Sequence, residues 1–221
     1  GYDLEIRAID IARAVNAPVK AIWAREDDVR HDFYRPMVAA DFKAALNGAG
    51  SLDSLEIRLA GQPWPTLRQD GMDPSVMGAI DEMPYDFPNL RLAYVRVDSP
   101  VPIGTWRSVP RSYNTLIVEC IIDELAAAAG VDPYQFRRTQ MKDDPRLLAV
   151  LDEAANRSGW GEPLPPGRGR GIAMWPCYGS SVAQVVEASV EDGQVRVHKV
   201  VSAVDCGLVV NPNIVRQQIE G

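Results

Sequence analysis

The sequence predicts an α+β fold in which helices and β-hairpins are mixed along the chain. Two observations point to the hairpins. Alternating apolar runs flank Asn47-Gly48-Ala49-Gly50, and a second pair of apolar runs flanks Asp192-Gly193. A third observation points to the helices: apolar residues recur at helical spacing in several separate stretches. Strands and helices do not alternate one for one, which argues against a doubly wound sheet.

Leu4, Ala8, Ile11, Ala12 and Val15 share one helical face, so residues 3–16 are expected to form an amphipathic helix that Ala17-Pro18 ends. Val19 to Trp23 is short, apolar and β-rich, and is expected to be a strand. Arg25, Glu26, Asp27, Asp28 and Arg30 mix both charges and are expected to form a solvated loop. Val38, Ala40, Phe42, Ala44 and Leu46 then alternate. Leu55, Ile57 and Leu59 do the same, giving a hairpin with one buried face.

Residues 61–88 are broken by Pro63, Pro65, Gly71, Pro74, Pro84 and Pro88. A loop of that length is expected to face a partner or to be functional. Leu90, Leu92 and Tyr94 mark another strand. Asp132, Pro133 and Gln135 form a helix start: a cap, a first-turn proline and a residue able to close a capping box. A further helix is expected over Arg146 to Ser158. Pro163, Pro165 and Pro166 with their flanking glycines read as a linker, dividing the chain into residues 1–160 and a hairpin sub-block at 161–221. Gly167, Gly169 and Gly171 do not form a phosphate loop, because a strand follows them where a helix is required. Val182–Val190 and Val195–Val204 are the strands of the second hairpin. Asn211-Pro212 then starts a helix with Val215 and Ile219 on one side.

With 221 residues the chain can bury a substantial core, and 46% hydrophobic with 24% charged residues is the composition of a soluble globular protein. A net charge of −7 disfavours nucleic acid as a partner, because no basic block exists to neutralise phosphates. No apolar run reaches the roughly eighteen residues a membrane span needs, and the N-terminal residues do not read as a signal peptide. The sequence is expected to be a piece of a longer polypeptide. Three scattered cysteines without a CxxC pair make neither a disulfide framework nor a zinc site, and Cys120 is expected to be a small core residue. With only His31 and His198, no histidine-rich metal site can be built, and no protein metal ligands are assigned.

The stretch Ser99 to Gly130 organises the rest. Pro100, Pro102 and Gly104 deny its first part regular structure. Trp106 and Arg107 lie at the centre of this loop. Ser112 or Asn114 is then expected to cap a helix whose polar residues, Thr115, Glu119 and Asp123, form a stripe one residue in four. So narrow a stripe predicts a mostly buried helix, and Gly130 takes the C′ position. Either Arg107 and Trp106 are presented to a ligand from a rigid mount, or they pack within a connecting loop.

Three segments, in order, together resemble one family. They are PVKAIWAREDDVRHDFYRP, FPNLRLAYVRVDSPVPIGTWRSVPRSYNTLIVECIIDELA and AVDCGLVVNPNIVRQQIEG. The chain is identified by them as a member of the molybdenum hydroxylases, the xanthine dehydrogenase and aldehyde oxidase family. The Trp-Arg-Ser form of the loop is similar to the isoquinoline-type branch. The resemblance implies a fragment of a molybdenum-cofactor-binding domain. It further implies molybdopterin, as the cytosine dinucleotide, and hydroxylation of an N-heterocycle or aldehyde with oxygen from water. Electrons would pass to iron–sulfur clusters on a small partner subunit, and the longer protein would be cytoplasmic or periplasmic.

By the same resemblance Arg107 stands beside the cofactor, with Trp106 and Ser108 flanking it as cofactor-binding residues. Ser108 replaces a glycine and Val109 a phenylalanine of the xanthine dehydrogenase pattern. The family's catalytic glutamate is expected beyond this chain. Neither Glu119 nor Glu187 matches it, so no catalytic residue is assigned. The chain alone is expected to be inactive and could lack the cofactor. The alternative expectation is a non-catalytic relic or assembly module of the same fold that binds only a partner subunit.

Overall fold

The computed structural model describes residues 3–64 and 71–221. Its elements run α1 (Asp3–Val15), α2 (Arg25–His31), β1 (Val38–Leu46), β2 (Leu52–Gly61), α3 (Pro74–Met77) and β3 (Asn89–Arg96). There follow α4 (Arg111–Ala129), α5 (Pro133–Gln140), α6 (Pro145–Ser158), β4 (Arg168–Cys177), β5 (Ser180–Glu191), β6 (Gln194–Asp205) and α7 (Pro212–Glu220). The α+β class is as expected.

The described strands make two three-stranded sheets, β1-β2-β3 and β4-β5-β6. Both predicted hairpins form. In the first, Phe42 faces Ile57 and Ala44 faces Leu55. The Asn47 side-chain oxygen accepts from the amides of Ala49 and Ser51 at 2.9 and 3.1 Å, which closes the turn. In the second, Asp192 and Gly193 both have positive φ, as the two-residue turn of a right-twisted hairpin requires.

The strand β3 pairs with β2 in parallel. A parallel pair cannot be joined by a tight turn and needs a crossover connection. Residues 62–64 and 71–88 belong to that crossover, and the short helix and buried residues within 73–87 correct their reading as a stretch without structure. Val76, Met77, Ile80, Met83, Tyr85 and Phe87 are buried. The short helix α3 starts at Asp73, whose carboxylate accepts from the Ser75 amide at 2.8 Å. Residues 65–70, also part of that expectation, lie outside the described residues.

Two N-terminal expectations fail. Val19–Trp23 is not a strand; it pairs with no described strand, and Ile22 is 76% exposed. The charged run is the helix α2, with Glu26, Asp27 and Asp28 in its first turn and Arg30 and His31 in its last. That order of charges complements the helix dipole, and sets this run apart from a solvated loop. α1 forms where predicted, but Leu4, Ile11 and Val15 stay exposed.

The core lies between the sheets and helices α4 and α6. It joins Leu55, Ile57 and Leu59 of the first sheet to Ile121, Ile122, Leu147, Leu151, Met174 and Val185. α4 packs on β1, α5 and β4, while α6 packs on the second sheet. Gly130 and Gly159 end these helices in left-handed conformation. The Asp132 carboxylate caps α5 through the amides of Tyr134 and Gln135, without a return bond from the Gln135 side chain among the described contacts.

The burial of α4 differs from its simple stripe. Leu116 is 64% exposed and Cys120 is exposed, so that cysteine is not a core residue. Glu119, a member of the polar stripe, is 4% exposed and sits in the core instead. Its Oε1 accepts from the Tyr85 hydroxyl at 2.6 Å. Its Oε2 accepts from Arg137 Nε at 2.9 Å and from the Met174 amide at 3.0 Å. Arg137, with a fully buried side chain, also donates to the Asp123 carboxylate at 2.6 Å and to the Glu119 carbonyl at 3.1 Å. Burial opposes the charge of Arg137, but Glu119, Tyr85 and Asp123 outweigh it and hold the guanidinium above its ordinary pKa. No helix among the described residues is long and apolar enough to cross a membrane.

Candidate functional site

The loop between β3 and α4 is held against the segment that leads into β1. Tyr34 donates its amide to the Pro102 carbonyl at 2.9 Å, and Gly104 donates back to the Tyr34 carbonyl at 3.0 Å. Tyr34 and Ile103 form an isolated parallel bridge. A Cβ built at Gly104 would come within 2.7 Å of Phe33 Cβ, so only glycine allows this approach. Trp106 Nε1 donates to the Phe33 carbonyl at 2.7 Å while the residue remains 42% exposed. The tryptophan is thus anchored at its nitrogen and partly exposed.

Residues 107–110 then turn sharply into α4. Val109 donates to the Trp106 carbonyl and Arg111 to the Ser108 carbonyl, each at 2.9 Å. Ser108 has φ 74° and Val109 φ 47°. Two consecutive non-glycine residues in the left-handed region are costly, most of all for β-branched valine. The serine occupies a glycine-type backbone conformation, matching the pattern in which it replaces a glycine. Ser108→Gly is therefore expected to leave stability unchanged or higher. About 1–2 kcal/mol of backbone strain is relieved, against about 0.5–1 kcal/mol of extra unfolded-chain entropy. Ser108→Val is expected to destabilise the loop, as read by amide exchange over residues 104–112. A clear loss from the glycine variant would contradict the strain.

The helix α4 starts directly after Pro110, not at Ser112 or Asn114. Its first turn has neither a side-chain cap nor an acidic residue. Asn114 is fully buried and spends its amide group on the carbonyls of Val76 and Gly78, at 2.8 and 2.9 Å. Arg111, in that first turn, meets Glu82 at 2.6 Å and stacks on Tyr178, 4.4 Å from the ring centroid.

The loop also meets the end of the chain. Arg107 Nη2 donates to the carbonyl of Gln218, in α7, at 3.3 Å. The TWRSVP loop and the Q-x-E-G segment, two of the segments on which the resemblance rests, are therefore neighbours. The Asp205 turn before α7 is fixed from elsewhere. The Asp205 carboxylate accepts from Arg146 Nε and Nη2 at 2.9 and 2.8 Å and from the Gly207 amide at 2.9 Å. Those bonds hold the Asp205 carboxyl well below the usual carboxylate range. Asn211 caps α7 through the Asn213 amide at 3.0 Å, as its pairing with Pro212 predicts.

Sequence reasoning missed one residue at this site. Arg35 donates to the carbonyls of Arg107 and Val109 at 2.8 and 3.2 Å and to Ser112 Oγ at 2.8 Å. Its guanidinium carbon lies 5.9 Å from the centroid of the Trp106 ring. The available signal was weak: an arginine in the DFYRP run, held extended by the proline that follows it.

Chemically, the arrangement suits a planar anion. Arg107 is exposed and carries a guanidinium fork, and its chain neighbour Trp106 is partly exposed. An uncapped helix start adds its own positive end close by. Among the described residues no group of three His, Cys, Asp or Glu could hold a metal ion.

Comparison with known proteins identifies the family. Residues 1–141 and 153–221 match two models of the molybdopterin cofactor-binding domain. The chain belongs to the molybdopterin cofactor-binding domain family of the molybdenum hydroxylases. It is similar to the beta chain of isoquinoline 1-oxidoreductase from Brevundimonas diminuta, at 28% identity over 98% of this chain and 29% of that protein. It is also similar to a nicotinate dehydrogenase subunit of Pseudomonas putida, at 30% identity over 97% of this chain and 20% of that protein. Among solved structures, quinoline 2-oxidoreductase from Pseudomonas putida 86 has the same fold, at TM-score 0.58 and 20% identity, covering 82% of this chain and 26% of that one. The chain thus spans less than a third of the length of these relatives.

Proposed function

We propose that this chain is part of the molybdopterin-binding subunit of an oxidoreductase that hydroxylates an N-heterocycle or an aldehyde. Water supplies the oxygen, and electrons leave to iron–sulfur clusters on a small partner subunit. The observation that carries the reading is the meeting of Arg107 with α7 at Gln218, which joins two family-like segments across the fold. Relatives named for isoquinoline and nicotinate favour an N-heterocycle.

Arg107, Trp106 and Ser108 are the cofactor-side residues of this reading. Arg107 binds the anionic or carbonyl edge of a pterin through its fork, and Trp106 offers an apolar wall. Ser108 continues, in left-handed conformation, the turn that carries both into α4. The cofactor, when bound, supplies the two-electron and oxygen-transfer chemistry; the cytosine dinucleotide form is part of the proposal. The catalytic base is not among the residues of this chain in our reading.

The test is molybdenum and pterin per polypeptide in the full-length protein, expressed with its small subunit in a host that makes the cofactor. A ratio near one molybdenum per chain is expected. A ratio near zero would replace this reading with an assembly module that binds only its partner.

A further inference from the structure

We propose that Arg35 is the positioning residue of the cofactor-side loop; the proposal rests on the functional reading above. One guanidinium binds the carbonyl before Ser108, the carbonyl after it at Val109, and the hydroxyl of Ser112. It therefore brackets the two residues whose left-handed φ values make the turn costly. Ser112 Oγ donates in turn to the Val109 carbonyl at 3.1 Å, which closes the bracket on the helix side. Without these bonds, the peptide planes flanking Ser108 keep the amide bonds of Val109 to Trp106 and of Arg111 to Ser108, and the strain at Ser108 and Val109 favours a return to negative φ. That rotation carries Arg107 away from Gln218 and turns it off the site.

The mount of Arg35 is itself rigid. Tyr34 is tied to Pro102 and Gly104 by two backbone bonds, and the following Pro36 is buried. Proline restricts the residue before it to extended backbone, so the guanidinium has one approach to the loop. Its side chain also lies along the Trp106 ring, coupling the indole to the same clamp. A lysine supplies one point charge where this site uses a fork of three bonds, so charge alone does not replace it. Arg35 contacts no proposed ligand itself; it acts through Arg107 and Trp106.

The experiment compares Arg35→Met, Arg35→Lys, Arg107→Ala and the Arg35→Met/Arg107→Ala double variant in the full-length protein. Amide exchange of residues 104–112 and molybdenum per polypeptide are both read. Arg35→Met is expected to speed exchange in 104–112 by about tenfold or more while the interior of α4 keeps its native rate. Its molybdenum content is expected to fall about fivefold, Arg35→Lys to recover less than half of the loss, and the double variant to match Arg107→Ala alone, since residues in one network do not act additively. Native exchange in 104–112 of Arg35→Met, or losses that multiply in the double variant, would overturn the assignment of Arg35 alone. Wild-type protein without molybdenum would overturn the functional reading, whatever the exchange shows.

Discussion

Arg137→Met is expected to lower the stability of the region around α4, α5 and β4 by about 3–5 kcal/mol. The side chain is fully buried and ion-paired with Glu119, which is itself nearly buried. Removing the arginine strands a carboxylate in the core with Tyr85 and the Met174 amide as its donors among the described residues. A buried charge without its partner costs far more than the pair contributes, because desolvation is no longer offset. The network also ties together four separate pieces of chain: the crossover, α4, α5 and β4. Native-state amide exchange across these elements is the measurement. Glu119→Gln is expected to cost less, about 1–3 kcal/mol, since the amide still accepts one bond. The double variant Glu119→Leu/Arg137→Met is expected to recover much of the loss, because two apolar groups leave no charge to solvate. Unchanged exchange in Arg137→Met would mean that water reaches the pair.

Arg107→Ala is expected to reduce molybdenum per polypeptide about tenfold in the full-length protein, with native exchange rates in the core. The two effects separate because Arg107 is exposed and makes one described side-chain bond, to the Gln218 carbonyl. Its loss leaves no buried group unpaired, so the fold has little to lose. A planar anion, by contrast, loses a charge-assisted fork, and such bonds are about twice as strong as neutral ones. Arg107→Lys is expected to retain part of the content, as a point charge without the fork. Unaltered molybdenum content would return Arg107 to a packing role between its loop and α7.

Much of the candidate loop was legible in the residues themselves. The loop was marked by Pro100, Pro102 and Gly104, and Trp106 and Arg107 stood out as the large side chains at its centre. Arg35 was not legible, since its partners lie more than seventy positions away and nothing local marks it. The parallel pairing of β2 with β3 was equally hidden. Prolines in residues 61–88 suggested an open loop, although Val76, Met77, Ile80, Met83, Tyr85 and Phe87 among them proved to be core. α2 was misread because mixed charge has two meanings, and only its order along the chain separates a helix from a loop.

What the sequence by itself determined is the local punctuation. The turns at Asn47–Gly50 and Asp192-Gly193, the caps at Asp132 and Asn211 and the end at Gly130 all form where they were expected. Each depends on sterics and hydrogen bonds within a few residues, so each is written where it acts. Only the tertiary structure decided which polar residue of α4 is buried, what covers residues 74–87 and how Arg35, Arg107 and Gln218 come together. Those outcomes depend on contacts between distant segments. There the burial of one group is set by partners that no local pattern specifies.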